Sequence, residues 1–223
     1  MQMEQQFVET IKIKDGKALN LSYHQARMER TIQSCFTPSR RKGIPLIEES
    51  LSTSPDMVFF KARVLYSEHG IEDIQYAPYA MREIRSLRIV TDNDIDYAFK
   101  STDRSELDRL TAQKGDCDDI VIVKNGLVTD TSFTNIAVSI DGRWLTPRRP
   151  LLMGTKRASL IDKGILNEAD ITPEDLMKAE KVSLINAMIE LEESVVVKLC
   201  PQDDTSPAPK HIPSTTPRSR EAQ

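Results

Sequence analysis

Cysteine and histidine are scarce in this sequence, with three of each among 223 residues. Cys35, Cys117 and Cys200 are odd in number and lack any metal-ligand spacing, which argues against a disulfide framework or a zinc site and leaves free thiols and no metal as the expectation. Nowhere do the roughly 18 consecutive apolar residues of a membrane span occur. The N-terminal stretch MQMEQQFVETIKIK has no apolar core of signal-peptide length, so a cytoplasmic location is expected. Neither charge sign dominates. Thirty basic residues stand against thirty-four acidic, a formal charge of -4, and no basic block interrupts the mixing up to Cys200. That excludes a dedicated nucleic-acid surface and points to small molecules as partners. No internal repeat is visible.

What is present suits a folded chain: 39% hydrophobic and 29% charged residues are ordinary for a globular protein with its own core. Phe7 to Ile13 alternate in the manner of a strand, Asp15-Gly16 is a turn pair, and Ala18 to Leu21 can return as a second strand. From Ser22 the spacing of Met28, Ile32 and Cys35 predicts a helix of about four turns, stopped by Pro38, with Arg27, Glu29 and Arg30 on other faces. Met57 to Tyr66 and Ile71 to Tyr79 read as two further strands, so a small α+β unit of residues 1–88 is expected. Arg88 to Ala98, polar and acidic, reads as a link to a second unit of residues 89–200. Within it, Asn125-Gly126 and Asp141-Gly142 predict two successive hairpins. Helices are expected over Ser105 to Lys114 and after the cap Thr172-Pro173-Glu174-Asp175. The last stretch, 201–223, is rich in Pro, Ser and Thr and reads as a disordered tail.

Four short segments carry candidate chemistry, each with a plainer explanation. In Tyr23-His24-Gln25-Ala26-Arg27, an arginine near a helix start suits a phosphate, although a solvated helix-face arginine gives the same pattern. In Tyr97-Ala98-Phe99-Lys100, the lysine follows a stretch that looks strand-like and half buried; burial lowers a lysine pKa and frees its amine to attack an aldehyde. A surface lysine whose stem covers apolar neighbours fits as well. In Leu127 to Ile136, Asp130 directly follows a short strand, a place for a carboxylate beside a pyridine nitrogen and equally for an ordinary turn residue. In Leu151-Leu152-Met153-Gly154-Thr155-Lys156-Arg157, glycine and threonine precede a helical run, which suits phosphate on free backbone N–H groups or a simple cap.

Taken together, the order of segments resembles the class IV aminotransferases. The residues concerned are His24 with Arg27, Tyr97 with Lys100, Ser101 and Arg104, Val128-Thr129-Asp130 with Ser132 and Asn135, Thr146-Pro147, Leu152 with Gly154 and Arg157, and a late Asn186-Ala187. The resemblance spans about residues 7–197. It implies an α+β, two-domain fold type IV pyridoxal-phosphate enzyme, with a small domain and a larger, antiparallel-rich domain flanked by helices. It further implies pyridoxal 5'-phosphate as cofactor, a small-molecule amino substrate and a homodimer. Position by position it makes Lys100 the Schiff-base lysine and proton shuttle, Arg27 a phosphate ligand and Asp130 the partner of the pyridine nitrogen. Thr155 and Lys156 would offer backbone N–H groups to the phosphate, and Asn186-Ala187 would lie beside the cofactor. Thr10 and Arg63 are further candidates, for proton handling and for a substrate carboxylate.

Two residues depart from the family pattern: Asp130 stands where glutamate is usual, one methylene shorter, and Lys156 where threonine is frequent. Leu184-Ile185-Asn186-Ala187-Met188 resembles the lyase branch, since small hydroxyl residues are usual there in the aminotransferases. The resemblance therefore points to 4-amino-4-deoxychorismate lyase, with branched-chain or D-amino-acid transamination as the alternative and a non-catalytic cofactor-binding relative as a third.

Overall fold

The computed structural model describes residues 5–39 and 43–201; all but the first residue of the proposed tail lies outside them. The first half is a four-stranded antiparallel sheet in the order β2-β1-β3-β4. It comprises β1 (Phe7–Lys14), β2 (Lys17–Ala18), helices α1 (Leu21–Cys35) and α2 (Ile47–Ser50), β3 (Phe59–Ser67) and β4 (Gly70–Pro78). Period-two alternation along β1 sends Phe7, Ile11 and Ile13 into a core with Met28 and Ile32 of α1 and Val64 and Tyr66 of β3. The predicted second strand is cut to two residues. Asn20 takes a left-handed φ of 56° and α1 begins at once, so the chain turns to cover the sheet before Leu21 can extend it.

The helical spacing puts Arg27 off the apolar stripe of that helix. It is instead 7% exposed and shares the buried stripe with His24, Met28, Thr31 and Ile32. The reason is Glu9, which the same alternation of β1 places beneath the helix.

The remaining strands form a nine-stranded sheet, ordered β10-β9-β8-β7-β6-β5-β13, with β11 paired to β8 and β12. They are β5 (Ser86–Thr91), β6 (Asp119–Lys124), β7 (Leu127–Thr131), β8 (Asn135–Ile140), β9 (Arg143–Pro147), β10 (Asn167–Ala169), β11 (Lys181–Ile185), β12 (Val195–Val196) and β13 (Lys198–Cys200). Three helices flank it: α3 (Ser105–Thr111), continued by a 3-10 turn, α4 (Thr155–Asp162) and α5 (Pro173–Lys178). Both faces of β6 are covered. Val121 and Val123 join the cluster containing Leu176 of α5, while Ile120 and Ile122 pack on Leu107 and Leu110 of α3. Residues on a strand buried on both faces read as a continuous apolar run, as DIVIVK does.

The segment predicted as a polar link, Arg88 to Ala98, begins instead as part of a strand. β5 runs parallel to β6 and to β13, with Leu87, Ile89 and Val90 buried. Its partners lie some 30 and 110 residues away, beyond the reach of local patterning. Lys100 also lies outside any strand. Its loop is stitched to the start of β1 by Val8 N–H to Lys100 O at 2.9 Å and Thr102 N–H to Gln6 O at 3.0 Å, which joins the two sheets.

The candidate active site

A cavity of about 240 Å³ lies where the sheets meet, and seven of the nine sequence-derived candidates line it: Thr10, Arg27, Lys100, Asp130, Thr155, Asn186 and Ala187. They come from β1, α1, the loop before α3, β7, the start of α4 and the turn after β11, so only the folded chain brings them together. Arg63 and Lys156 are not in the wall. Arg63 pairs across the sheet with Thr10, and Lys61, two residues earlier, lines the cavity in its place.

Beneath Arg27 lies a buried ion cluster. Arg27 donates from Nε to Glu9 Oε1 at 2.8 Å and from Nη2 to Oε2 at 2.5 Å, a bidentate pairing that fixes the guanidinium plane. His24 Nδ1 donates to Glu9 at 2.6 Å, and its Nε2 is 3.4 Å from Thr155 Oγ1. Burial alone would raise the Glu9 pKa, but the Arg27 charge and the hydrogen bonds from His24 and Arg27 outweigh it and hold the carboxyl at about 2. Because that pKa is depressed, its stabilisation is present above the ordinary value of 4.5 and is lost as pH falls from there towards about 2. Glu9→Gln leaves Arg27 buried without its counter-charge and is expected to lower stability by about 3–5 kcal/mol at neutral pH. Urea unfolding of parent and variant checks this, and the gap between them should narrow across the same acid window.

Lys100 has the electrostatics of a reactive amine. Burial, then the positive charges of Arg27, Arg104 and Arg63, pull its pKa from 10.5 to about 8, with Glu9 opposing. Asp130, 4% exposed, is raised by burial to about 6 in spite of two donors that favour its charged form. Asn135 Nδ2 donates to Oδ1 at 2.7 Å and Leu152 N–H to Oδ2 at 2.8 Å. The same Asn135 amide donates to Leu152 O at 2.9 Å, so β8 and the loop before α4 aim the carboxylate between them. Glycine is required at 154 by space, because a Cβ there would collide with Asn135 Oδ1.

The donor set suits pyridoxal phosphate. The first N–H groups of α4 have no partner within the helix, Thr155 and Arg27 line the same cavity, and Lys100 and Asp130, also in its wall, would offer the amine and a carboxylate for the ring. Lys156 turns its side chain elsewhere. Its Nζ lies 2.5 Å from Glu190 Oε2, and Lys12 Nζ is 3.0 Å from Oε1 of the same residue, a clasp joining β1, α4 and the turn that carries Asn186. Sequence reading passed over Glu9, Glu190 and Lys61, and it placed Asn135 in the resemblance without a role. A signal existed for Glu9, an acid at an apolar-facing position of an alternating strand; for the others none was local.

The family model for amino-transferase class IV matches residues 6–192. An uncharacterized protein of Haemophilus influenzae is 36% identical over 181 residues, covering 81% of this chain and 96% of its own length. A Schizosaccharomyces pombe protein provisionally named an aminodeoxychorismate lyase is 25% identical over 201 residues, covering 82% of this chain and 86% of its own. Among solved structures, a Haemophilus somnus protein provisionally named a 4-amino-4-deoxychorismate lyase has a TM-score of 0.77 at 33% identity, covering 86% of this chain and all of that one. The match over nearly the whole described chain, with an α+β fold, makes this protein a member of the class IV amino-transferase family.

Proposed function

We propose that this chain, a pyridoxal-phosphate enzyme by family, is a lyase that converts 4-amino-4-deoxychorismate to pyruvate and 4-aminobenzoate for folate synthesis, working as a cytoplasmic homodimer. Among the described residues no helix is long and apolar enough to cross a membrane. The observation that carries the lyase reading is the turn after β11. Asn186 Oδ1 accepts from the N–H groups of Met188 and Ile189, so the turn offers the cavity Asn186, Ala187 and Met188 and no hydroxyl. The names of the relatives from Schizosaccharomyces pombe and Haemophilus somnus support the same activity.

Bound pyridoxal phosphate supplies an aldehyde for the amine and a ring that withdraws electrons from the carbon bearing it. Arg27, Thr155 and the N-terminus of α4 would hold the phosphate, and Asp130 would keep the ring nitrogen protonated. Lys100 Nζ, its pKa lowered to about 8, takes the proton from the amine-bearing ring carbon. The electron pair left there forms a ring double bond and expels the neighbouring enolpyruvyl oxygen, which leaves as pyruvate once protonated, while the ring becomes aromatic. The test is pyruvate release from aminodeoxychorismate by the purified holoenzyme with no keto acid present. A strict requirement for a keto acid would overturn the lyase in favour of transamination.

Because the neutral amine is the reactive form, the apoprotein's rate of capturing pyridoxal phosphate should climb with pH and level off above about 8. Stopped-flow absorbance across pH 6–10 reads this directly, and a rate still climbing at the upper end would mean that the amine is not depressed.

A further inference from the structure

The cavity wall holds four cationic side chains, Arg27, Lys61, Lys100 and Arg104, against a single carboxylate, Asp130. The proposed function uses three of these five groups: Arg27 for the phosphate, Lys100 for the aldehyde and proton transfer, Asp130 for the ring nitrogen. Lys61 and Arg104 remain. Arg104 donates from Nη2 to the carbonyl of Ser132 at 2.9 Å and lies 6.0 Å from the Tyr97 ring centre. Its contact with Asp108 is 3.9 Å long and that carboxylate is 71% exposed, too solvated to cancel the charge.

Lys61 is the more telling residue. It sits in β3 directly opposite Lys12 of β1, an arrangement that destabilises a sheet unless something else compensates. Lys12 is compensated, by Glu190 and by the Phe59 ring 5.3 Å away. Lys61, half-buried, has no acidic partner among the described residues. A lysine kept only for stability at such a position would be expected to carry one. The same wall includes Tyr79 and Tyr97, aromatic surfaces for a flat ring.

We infer that Lys61 is a specificity-determining residue: it binds one carboxylate of the substrate while Arg104 binds a second, so that the site selects a cyclic amine bearing two carboxylates over a monocarboxylic amino acid. This rests on the enzyme reading above and assigns the side chains that hold the two carboxylates of its substrate. Removing a charged hydrogen-bond partner from a half-buried anion should cost about tenfold or more in affinity.

The experiment uses holoenzyme and two unreactive probes, benzene-1,3-dicarboxylate and benzoate, titrated by calorimetry into the parent, Lys61→Gln and Lys61→Arg. The parent should bind the dicarboxylate at least about tenfold more tightly than benzoate. Lys61→Gln should abolish that preference with its cofactor absorbance intact, and Lys61→Arg should keep most of it. Equal affinity for both probes in the parent, or a preference that survives Lys61→Gln, would overturn the subsite while leaving the enzyme reading standing. A parent that retains no cofactor after desalting would overturn the enzyme reading itself and the subsite with it.

Discussion

Lys100→Ala is expected to abolish the visible absorbance of covalently held cofactor after desalting and to lower turnover by about 10³-fold or more. Two losses combine. The substituted chain has no amine to hold the aldehyde, and no base at the position where the substrate proton leaves, a contribution of about 10²–10⁴ on its own. The fold should survive, because the loop is tied to β1 through its backbone, Lys100 O accepting from Val8 N–H and Gln6 O accepting from Thr102 N–H, and neither bond involves the side chain. An unchanged unfolding midpoint with a vanished absorption band would separate chemistry from folding. Lys100→Arg sharpens the comparison by keeping the charge without a nucleophile, and it should be equally inactive. An absorption band persisting in both variants would remove Lys100 from the site.

Asp130→Asn should lower kcat by about 10²–10³-fold with a smaller loss of cofactor affinity. Its carboxylate does two things at once. It accepts hydrogen bonds from Asn135 and Leu152 on its two oxygens, and it supplies the negative charge that keeps a pyridine nitrogen protonated, the kind of preorganised electrostatic interaction whose removal commonly costs that much rate. The amide removes the charge and faces one of the two donors with its own NH₂, adding about 1–3 kcal/mol of unsatisfied polar burial. Asp130→Glu distinguishes charge from reach. It restores the family's usual residue, yet the longer side chain moves the carboxylate away from the Asn135 and Leu152 donors that hold the shorter one, so cofactor retention should weaken while the charge is kept. If the asparagine variant turned over at the parental rate, the ring-nitrogen role of Asp130 would be wrong. Steady-state kinetics and cofactor dissociation, measured on all three proteins, provide the comparison.

Short-range features were legible before any fold was known. Asp15-Gly16, Asn125-Gly126 and Asp141-Gly142 all take positive φ, which the Asx-Gly pair is suited to adopt. Thr172 makes the capping box with Asp175 that its spacing announces. In each case the cause lies within a few residues, in the steric map of the backbone or in one side chain reaching its neighbour. The order of four segments was likewise readable, and seven candidate residues do line one cavity. Their convergence was implied by resemblance and was not derivable from any one segment.

The tertiary structure decided what depends on distant partners. β5 is a buried strand because β6 and β13, remote in the chain, flank it on both sides. Arg27 is buried because Glu9, 18 residues away, meets it from β1, and Lys156 faces Glu190, 34 residues away, instead of the cavity. Lys61 lines the site and Arg63 does not, though both lie on one face of β3. Local sequence determines backbone preference and which face a side chain takes. Which group it meets there depends on the packing of elements remote in the chain, and in this protein that packing determines the charge, the pKa and the aim of every residue assigned to the chemistry.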